Sequence, residues 1–276
     1  MASQKNTKNT VEEHLFKALV KLHLIQDRKT CNYSLCGRTD KGVSALSNVF
    51  SVTLRSRSHP KAGQFEYTKM INCMLPNDIR ILASTPVLHH FDARFSCLYR
   101  EYKYYFVVKS KNLEAMAEAA QGYVGVHDFR NFCKDDAEKK RSTERRILSF
   151  DVTQNGDIGV ITVVGYSFLW HQVRCMVSVL FRIGDGIEDT TLVQKMLAHR
   201  GQKPQYELAS EIGLVLNDCG FETALFQKDF TEDALKSLIS IQEDLLIKTQ
   251  VVNSITEGFG QLQTPKKAIK KIRLKD

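Results

Sequence analysis

Phe95-Ser96-Cys97-Leu98-Tyr99-Arg100-Glu101-Tyr102-Lys103-Tyr104-Tyr105-Phe106-Val107-Val108 predicts the strongest β-strand in the chain. Successive side chains of a strand point to opposite faces, so Leu98, Arg100, Tyr102, Tyr104 and Phe106 share one side. Tyr99, Glu101, Lys103, Tyr105 and Val107 share the other. One face therefore carries an arginine and two tyrosines. Downstream, the runs Ile147 to Gln154 and Ile158 to Tyr166 flank Asn155-Gly156-Asp157, a hairpin signal, and Gly213 to Asn217 reads as a late strand. Upstream, Ser47 to Arg55 has period two, with Phe50, Val52 and Leu54 on one side. Ile79 to Ala83 is a brief strand candidate between Pro76-Asn77-Asp78 and Pro86.

Helices separate these strands. Thr10 with Glu13 makes a capping box, and Val11, Leu15, Leu19 and Leu22 then recur at helical spacing, so a helix should run to about Leu24. Phe65 to Met74 reads as a short helix, and Asn112 caps another through Ala120. Phe168, Val173, Met176, Val177 and Leu180 mark a buried helix ending near Gly184, followed by one from Thr190 to His199. The pattern predicts an α+β fold: a mostly antiparallel mixed sheet with helices on one face. The second half resembles the first in outline, without a literal repeat. The expected organisation is an N-terminal half over residues 1–108, a C-terminal half over 109–225, and a C-terminal helix and basic tail over 226–276.

The composition fits such a fold. At 276 residues the chain suits one large domain or two joined halves, and 43% hydrophobic residues can enclose a core. Five prolines and 15 glycines exclude a collagenous or disordered chain. No apolar run reaches the roughly 18 residues that cross a bilayer, and the first ten residues lack the apolar stretch of a secretion signal. The expectation is a protein of the cell interior without a membrane partner. A net charge of +8 favours polyanions without demanding them. Seven scattered cysteines, Cys31, Cys36, Cys73, Cys97, Cys133, Cys175 and Cys219, include no Cys-x-x-Cys pair, so the expectation is reduced thiols and no metal site. The polar stretch Ser58 to Gly63 reads as a loop. The tail beyond Thr264, with Lys266, Lys267, Lys270, Lys271, Arg273 and Lys275 against Asp276, reads as a solvated end that attracts phosphates.

The densest polar cluster is Cys36-Gly37-Arg38-Thr39-Asp40-Lys41-Gly42-Val43-Ser44, between the first helix and the first strand. Its glycines permit tight turns, and an aspartate there can do no more than hold a turn through its own backbone. The string Gly37 to Val43, however, resembles the catalytic loop of the TruA-type tRNA pseudouridine synthases. Further blocks follow in that family's order: Phe91-Asp92-Ala93-Arg94-Phe95-Ser96, Arg100-Glu101-Tyr102-Lys103-Tyr104, Gly125-Val126-His127-Asp128-Phe129, and Phe168-Leu169-Trp170-His171-Gln172-Val173-Arg174-Cys175-Met176. The wording of Lys41 to Ala45 and of His171 to Met176 is most similar to the family's eukaryotic branch, which modifies tRNA positions 38 and 39. The resemblance runs from about Thr10 to Cys219.

The resemblance implies the pseudouridine synthase fold, with two pseudo-symmetric halves, and a cofactor-free isomerase that turns uridine into pseudouridine in the anticodon arm of tRNA. By it, Asp40 is the catalytic carboxylate, acting as nucleophile on the ribose or as base toward a glycal. Arg174 is its partner. A charge inside the apolar run from Val173 to Leu180 is rarely left unpaired. Tyr102, otherwise one more sheet aromatic, would stack on the target uracil and assist removal of the carbon 5 proton. Arg38 would hold the nucleotide out of its stack, and Lys41 and Arg94 would contact phosphate. His127 and His171 read as hydrogen-bonded scaffold residues. The implied partners are tRNA and a second copy of the chain as a homodimer, in nucleus and cytoplasm.

One departure stands out. The family opens with a strand and a "Y-D-G-x-x-Y-x-G-W-Q" loop before the first helix, and neither is present. The missing strand would leave backbone groups and apolar surface exposed, so weaker tRNA binding than in a version with the strand restored is expected. The same departure allows an alternative, a non-catalytic RNA-binding protein or RNA chaperone of the same fold.

Overall fold

A computed structural model describes residues 9–56, 65–134, 142–198, 207–222, 224, 226 and 232–263. The polar loop 58–63 and the basic tail beyond residue 264 lie outside these. The described chain forms two compact units, one drawn from residues up to 66 and from 85 to 226, the other from 67 to 84 and from 227 onward.

The first unit contains helix α1 (Val11–Lys21) and strands β1 (Ser34–Leu35), β2 (Ser44–Ala45) and β3 (Phe50–Ser51). After these come β4 (Cys97–Val107), α3 (Leu113–Gln121), β5 (Gly125–Asp128), β6 (Glu144–Asn155) and β7 (Ile158–Gly165), then α4 (Gln172–Gly184), α5 (Leu192–Leu197) and β8 (Leu214–Phe221). The second unit holds α2 (Tyr67–Asn72) and α6 (Glu232–Gln263). Six strands form one sheet in the order β2-β8-β4-β7-β6-β5, and β1 pairs separately with β3. Among the described residues only β2 with β8 is parallel; β4–β7, β4–β8, β5–β6 and β6–β7 are antiparallel. The fold is the mixed α+β sheet that the strand pattern predicts, with the Phe95–Val108 stretch supplying the inner strand β4.

Local chemistry accounts for the elements. Thr10 accepts from the Glu13 amide at 3.1 Å and Asn112 from that of Ala115 at 3.0 Å, each satisfying a donor that a helix start leaves open. The β6–β7 hairpin turns through Gly156 and Asp157, with Gly156 at φ 58°, a backbone state that an L side chain resists. Helix α3 packs on β6 and α4. Helix α4 covers the face of β4 that carries the even-numbered residues: Phe181 meets Tyr104 at 5.8 Å and Phe106 at 4.9 Å between ring centres. Tyr123, Phe129, Phe132, Phe150, Met176 and Leu180 are fully buried around it. Each large side chain so enclosed contributes roughly 1.5–3 kcal/mol relative to exposure.

Four expectations change. Helix α1 ends at Lys21, because His23 adopts a left-handed φ of 53°. The predicted strand over Ser47 to Arg55 shrinks to Phe50–Ser51, although Thr53 and Arg55 still donate to the carbonyls of Cys31 and Leu24. Ile79 to Ala83 is no strand among the described residues. The Asn72 amide instead takes both backbone bonds of Ile81, at 2.7 and 2.9 Å, as a neighbouring strand would have done. On β4, Phe95 lies outside the strand and Leu98 is 51% exposed instead of facing inward. The reason is a bulge: Cys97 pairs with Phe221 and Tyr99 with Gly220, so Leu98 has no counterpart and the alternation slips by one.

Candidate active site

The loop from Cys36 to Ser44 is fixed at its base. The Cys36 amide donates to the Val49 carbonyl at 2.8 Å, and the Asn48 side chain brackets Gly37, accepting from its amide at 3.2 Å and donating to its carbonyl at 2.8 Å. From the sheet, the buried guanidinium of Arg100 donates to the Cys36 carbonyl at 3.0 Å. At the tip, the Val43 amide donates to the Asp40 carbonyl, and Gly42 takes φ 85°, the left-handed state for which glycine is the ready residue. The loop thereby holds Asp40 over the first turn of α4.

Arg174, on that first turn, reaches three ways. Its Nη1 donates to Asp40 Oδ2 at 3.2 Å, its Nη2 to Glu211 Oε2 at 3.0 Å, and its Nε to the Ala209 carbonyl at 2.6 Å. Its side chain is 10% exposed and that of Asp40 26%, so the pair is largely removed from water and its partners fix its geometry. The Ser178 hydroxyl accepts from the Ala209 amide at 2.7 Å and so anchors the segment that carries Ala209 and Glu211. Helix α4 has no acidic residue in its first turn and no side-chain cap.

His171, the residue before α4, has φ 62°, a strained state for a side chain of this size. Its Nε2 lies 3.3 Å from the same Asp40 oxygen that Arg174 holds. Burial pushes the His171 pKa below its ordinary 6.5; Asp40 opposes this, and Arg174 and Lys134 reinforce it. Tyr102 is buried on β4, with its ring edge-on to Phe168 at 5.1 Å and 83°. Burial pushes its phenol above the ordinary value. These groups line a pocket of about 70 Å³, among them Arg38, Asp40, Tyr102, Trp170, His171 and Arg174.

Of the residues singled out from sequence, the structure brings Asp40, Arg174, Tyr102 and Arg38 to one pocket. Lys41 and Arg94 do not line it. Both are exposed, and Arg94 lays its guanidinium 5.3 Å from the Phe95 ring centre. His127 lies 2.9 Å from the Val124 carbonyl, a structural contact. Sequence reasoning missed Glu211, which no motif contains, and the approach of His171 to Asp40.

The pocket thus offers one carboxylate, gripped by a guanidinium and an imidazole, against an aromatic wall. Residues 119–222, which include Arg174 but not Asp40, fit the family model described as tRNA pseudouridine synthase. The chain is 38% identical over 207 residues to tRNA pseudouridine synthase A of Methanosarcina mazei, covering 75% of this chain and 74% of that protein. It belongs to the tRNA pseudouridine synthase family. It is also similar to the tRNA pseudouridine(38/39) synthases of Bos taurus, 41% identical over 297 positions, and Homo sapiens, 40% over 296. Each of these comparisons covers 96% of this chain and 62% of the relative, so the chain spans about three-fifths of their length.

Proposed function

We propose that this chain is a tRNA pseudouridine synthase, an isomerase converting uridine to pseudouridine at positions 38 and 39 of the anticodon arm. The observation that carries the reading is the Asp40–Arg174 contact at 3.2 Å beside buried Tyr102. The names of the relatives from Bos taurus and Homo sapiens support the choice of positions. In the reaction, the bond from uracil N1 to ribose C1′ breaks, the base turns, and a bond forms from C5 to C1′. The proton on C5 leaves and N1 gains one, so the exchange is redox-neutral and balances without a co-reactant. Asp40 assists departure of the base as nucleophile or base, and Arg174 holds its carboxylate in place. Tyr102 stacks on the uracil, a contact worth about 1–3 kcal/mol per base, and its hydroxyl relays the C5 proton toward solvent, taking it up as it releases its own. A base inside a stem cannot present its ribose to a recessed carboxylate, so the nucleotide must leave its stack. Arg38, at the pocket, holds it there, and Lys41 and Arg94 contact the phosphates. The protein's partners are tRNA and a second copy of itself.

The test is release of tritium from tRNA carrying 5-labelled uridine, with pseudouridines mapped afterwards. Asp40→Asn should abolish release while tRNA binding persists. Lack of release by the unaltered protein, with binding retained, would leave only the RNA-binding alternative.

A further inference from the structure

Beneath the catalytic loop stand three cysteines that the reaction does not use. Cys36 precedes Gly37, Cys97 opens β4 and Cys219 lies in β8, and their sulfurs are all within 4.8 Å of one another. Cys36 and Cys219 are buried, whereas Cys97 is half-buried. The bulge at Leu98 creates the group. Cys219 pairs with Arg100 and shares its face, while Cys97, three positions from Arg100, would by plain alternation point the other way. The extra residue returns it to the Cys219 side.

A second observation concerns charge. Arg100 is buried, and among the described residues its guanidinium donates to neutral acceptors, the carbonyls of Tyr166 at 2.6 Å, Arg94 at 2.8 Å and Cys36 at 3.0 Å. Among the described residues no carboxylate pairs with it. Buried cations are as a rule paired, and here the neighbouring groups able to carry a negative charge are the thiols.

We propose that Cys36, Cys97 and Cys219 bind one divalent thiophilic cation of the zinc class, with the fourth position open on the Cys97 side. Zinc–sulfur bonds of about 2.3 Å in tetrahedral array place sulfurs about 3.8 Å apart, so these three need to draw in by roughly 1 Å at most. Soft thiolates select such ions. Binding displaces the three thiol protons to solvent, and three thiolates with one divalent ion leave a single negative charge, which Arg100 neutralises. A monovalent ion such as copper(I) would leave one charge uncompensated, which favours the divalent class. The ion ties β4 and β8 to the root of the loop bearing Asp40.

The test uses the full chain, reduced and stripped of metal. Titration with Co²⁺ should give a thiolate-to-cobalt charge-transfer band saturating at one equivalent, and Zn²⁺ should displace the cobalt and raise Tm. Cys97→Ser, at the half-buried ligand, should weaken Zn²⁺ binding about tenfold or more. Cys73→Ser, at an exposed cysteine elsewhere, should leave it unchanged. X-ray absorption of the zinc-loaded unaltered protein should count three sulfurs, a measurement that needs no variant. Absence of the cobalt band, equal Zn²⁺ affinity in Cys97→Ser and the parent, or fewer than three sulfurs would overturn the proposal.

Discussion

Replacing Arg174 with lysine keeps the positive charge and removes the fork. A guanidinium serves Asp40, Glu211 and the Ala209 carbonyl from three nitrogens; one ammonium on a flexible stem cannot hold all three in their present directions. Each charge-assisted bond lost at this largely buried site costs about 1.5–3 kcal/mol. The Glu211 bond counts for less, under about 1 kcal/mol, because that carboxylate is 41% exposed. A stability loss of about 2–4 kcal/mol follows, readable by urea unfolding. The larger effect is on rate. Asp40 freed from its fork wanders by about 1 Å, and a displacement of that size costs on the order of a hundredfold in rate. Single-turnover tritium release at saturating tRNA should show this loss with little change in tRNA affinity, since the interaction acts on the reacting group and not on the phosphates. An Arg174→Lys protein within about threefold of the parent rate would mean that less than about 0.7 kcal/mol of the barrier depends on the fork, and the reasoning would fail.

Gly42→Ala forces a side chain into φ 85° and brings its Cβ to 2.5 Å from Glu211 Cγ; a loss of about 1–2 kcal/mol is expected in urea unfolding, with slower tritium release, and an unchanged midpoint would contradict it. Tyr102→Phe keeps the stacking surface and removes the hydroxyl of a buried ring. Its stability and tRNA affinity should stay within about 1 kcal/mol of the parent while C5 tritium release slows by roughly 10²–10⁴, and an equal rate would remove the hydroxyl from the chemistry. Because His171 titrates below 6.5 in the fold, the unfolded chain takes up its proton first as the pH falls. The contribution of His171 is therefore whole above about 6.5 and is lost from there down to its lowered folded value, by at most about 1.4 kcal/mol per pH unit. His171→Asn should flatten that part of the stability curve, and an identical slope in the variant would exclude it.

Strand β4, the hairpin and the caps at Thr10 and Asn112 were legible because each depends on neighbours in sequence: alternation, a turn triplet, a polar side chain before a helix. The errors arose where a distant contact overrode local preference. The Asn72 amide displaces a strand partner at Ile81, and the bulge at Leu98 shifts a face that alternation alone would have kept in phase. The pocket divides the same way. Asp40, Arg38, Tyr102 and Arg174 stand in motifs and were found there. Glu211 lies in a stretch with no pattern and becomes visible only when its segment, tied to Ser178, folds back on α4. The approach of His171 to Asp40 depends on a left-handed backbone at φ 62°, which no spacing signals. The three-cysteine group likewise owes its existence to a bulge.

The distribution of charge separates two tasks within the proposed reaction. Beside the pocket's carboxylate, the Arg174 guanidinium pairs with both Asp40 and Glu211, and burial disfavours the charged form of His171. Arg174, so paired, offers no surplus positive charge with which to draw a polyanion. Arg38, which lines the pocket, and Lys41 and Arg94, which do not, are exposed, so they pay little desolvation on meeting phosphate and release counterions when they do. Under the proposed reaction, affinity for tRNA would rest on these exposed cations and vary with salt, while the barrier would depend on the Asp40–Arg174 pair, which low exposure shields from the same ions. A recess that attracted phosphate directly would set it against the guanidinium Asp40 needs. The pairing of Arg174 with two carboxylates removes that competition at Asp40.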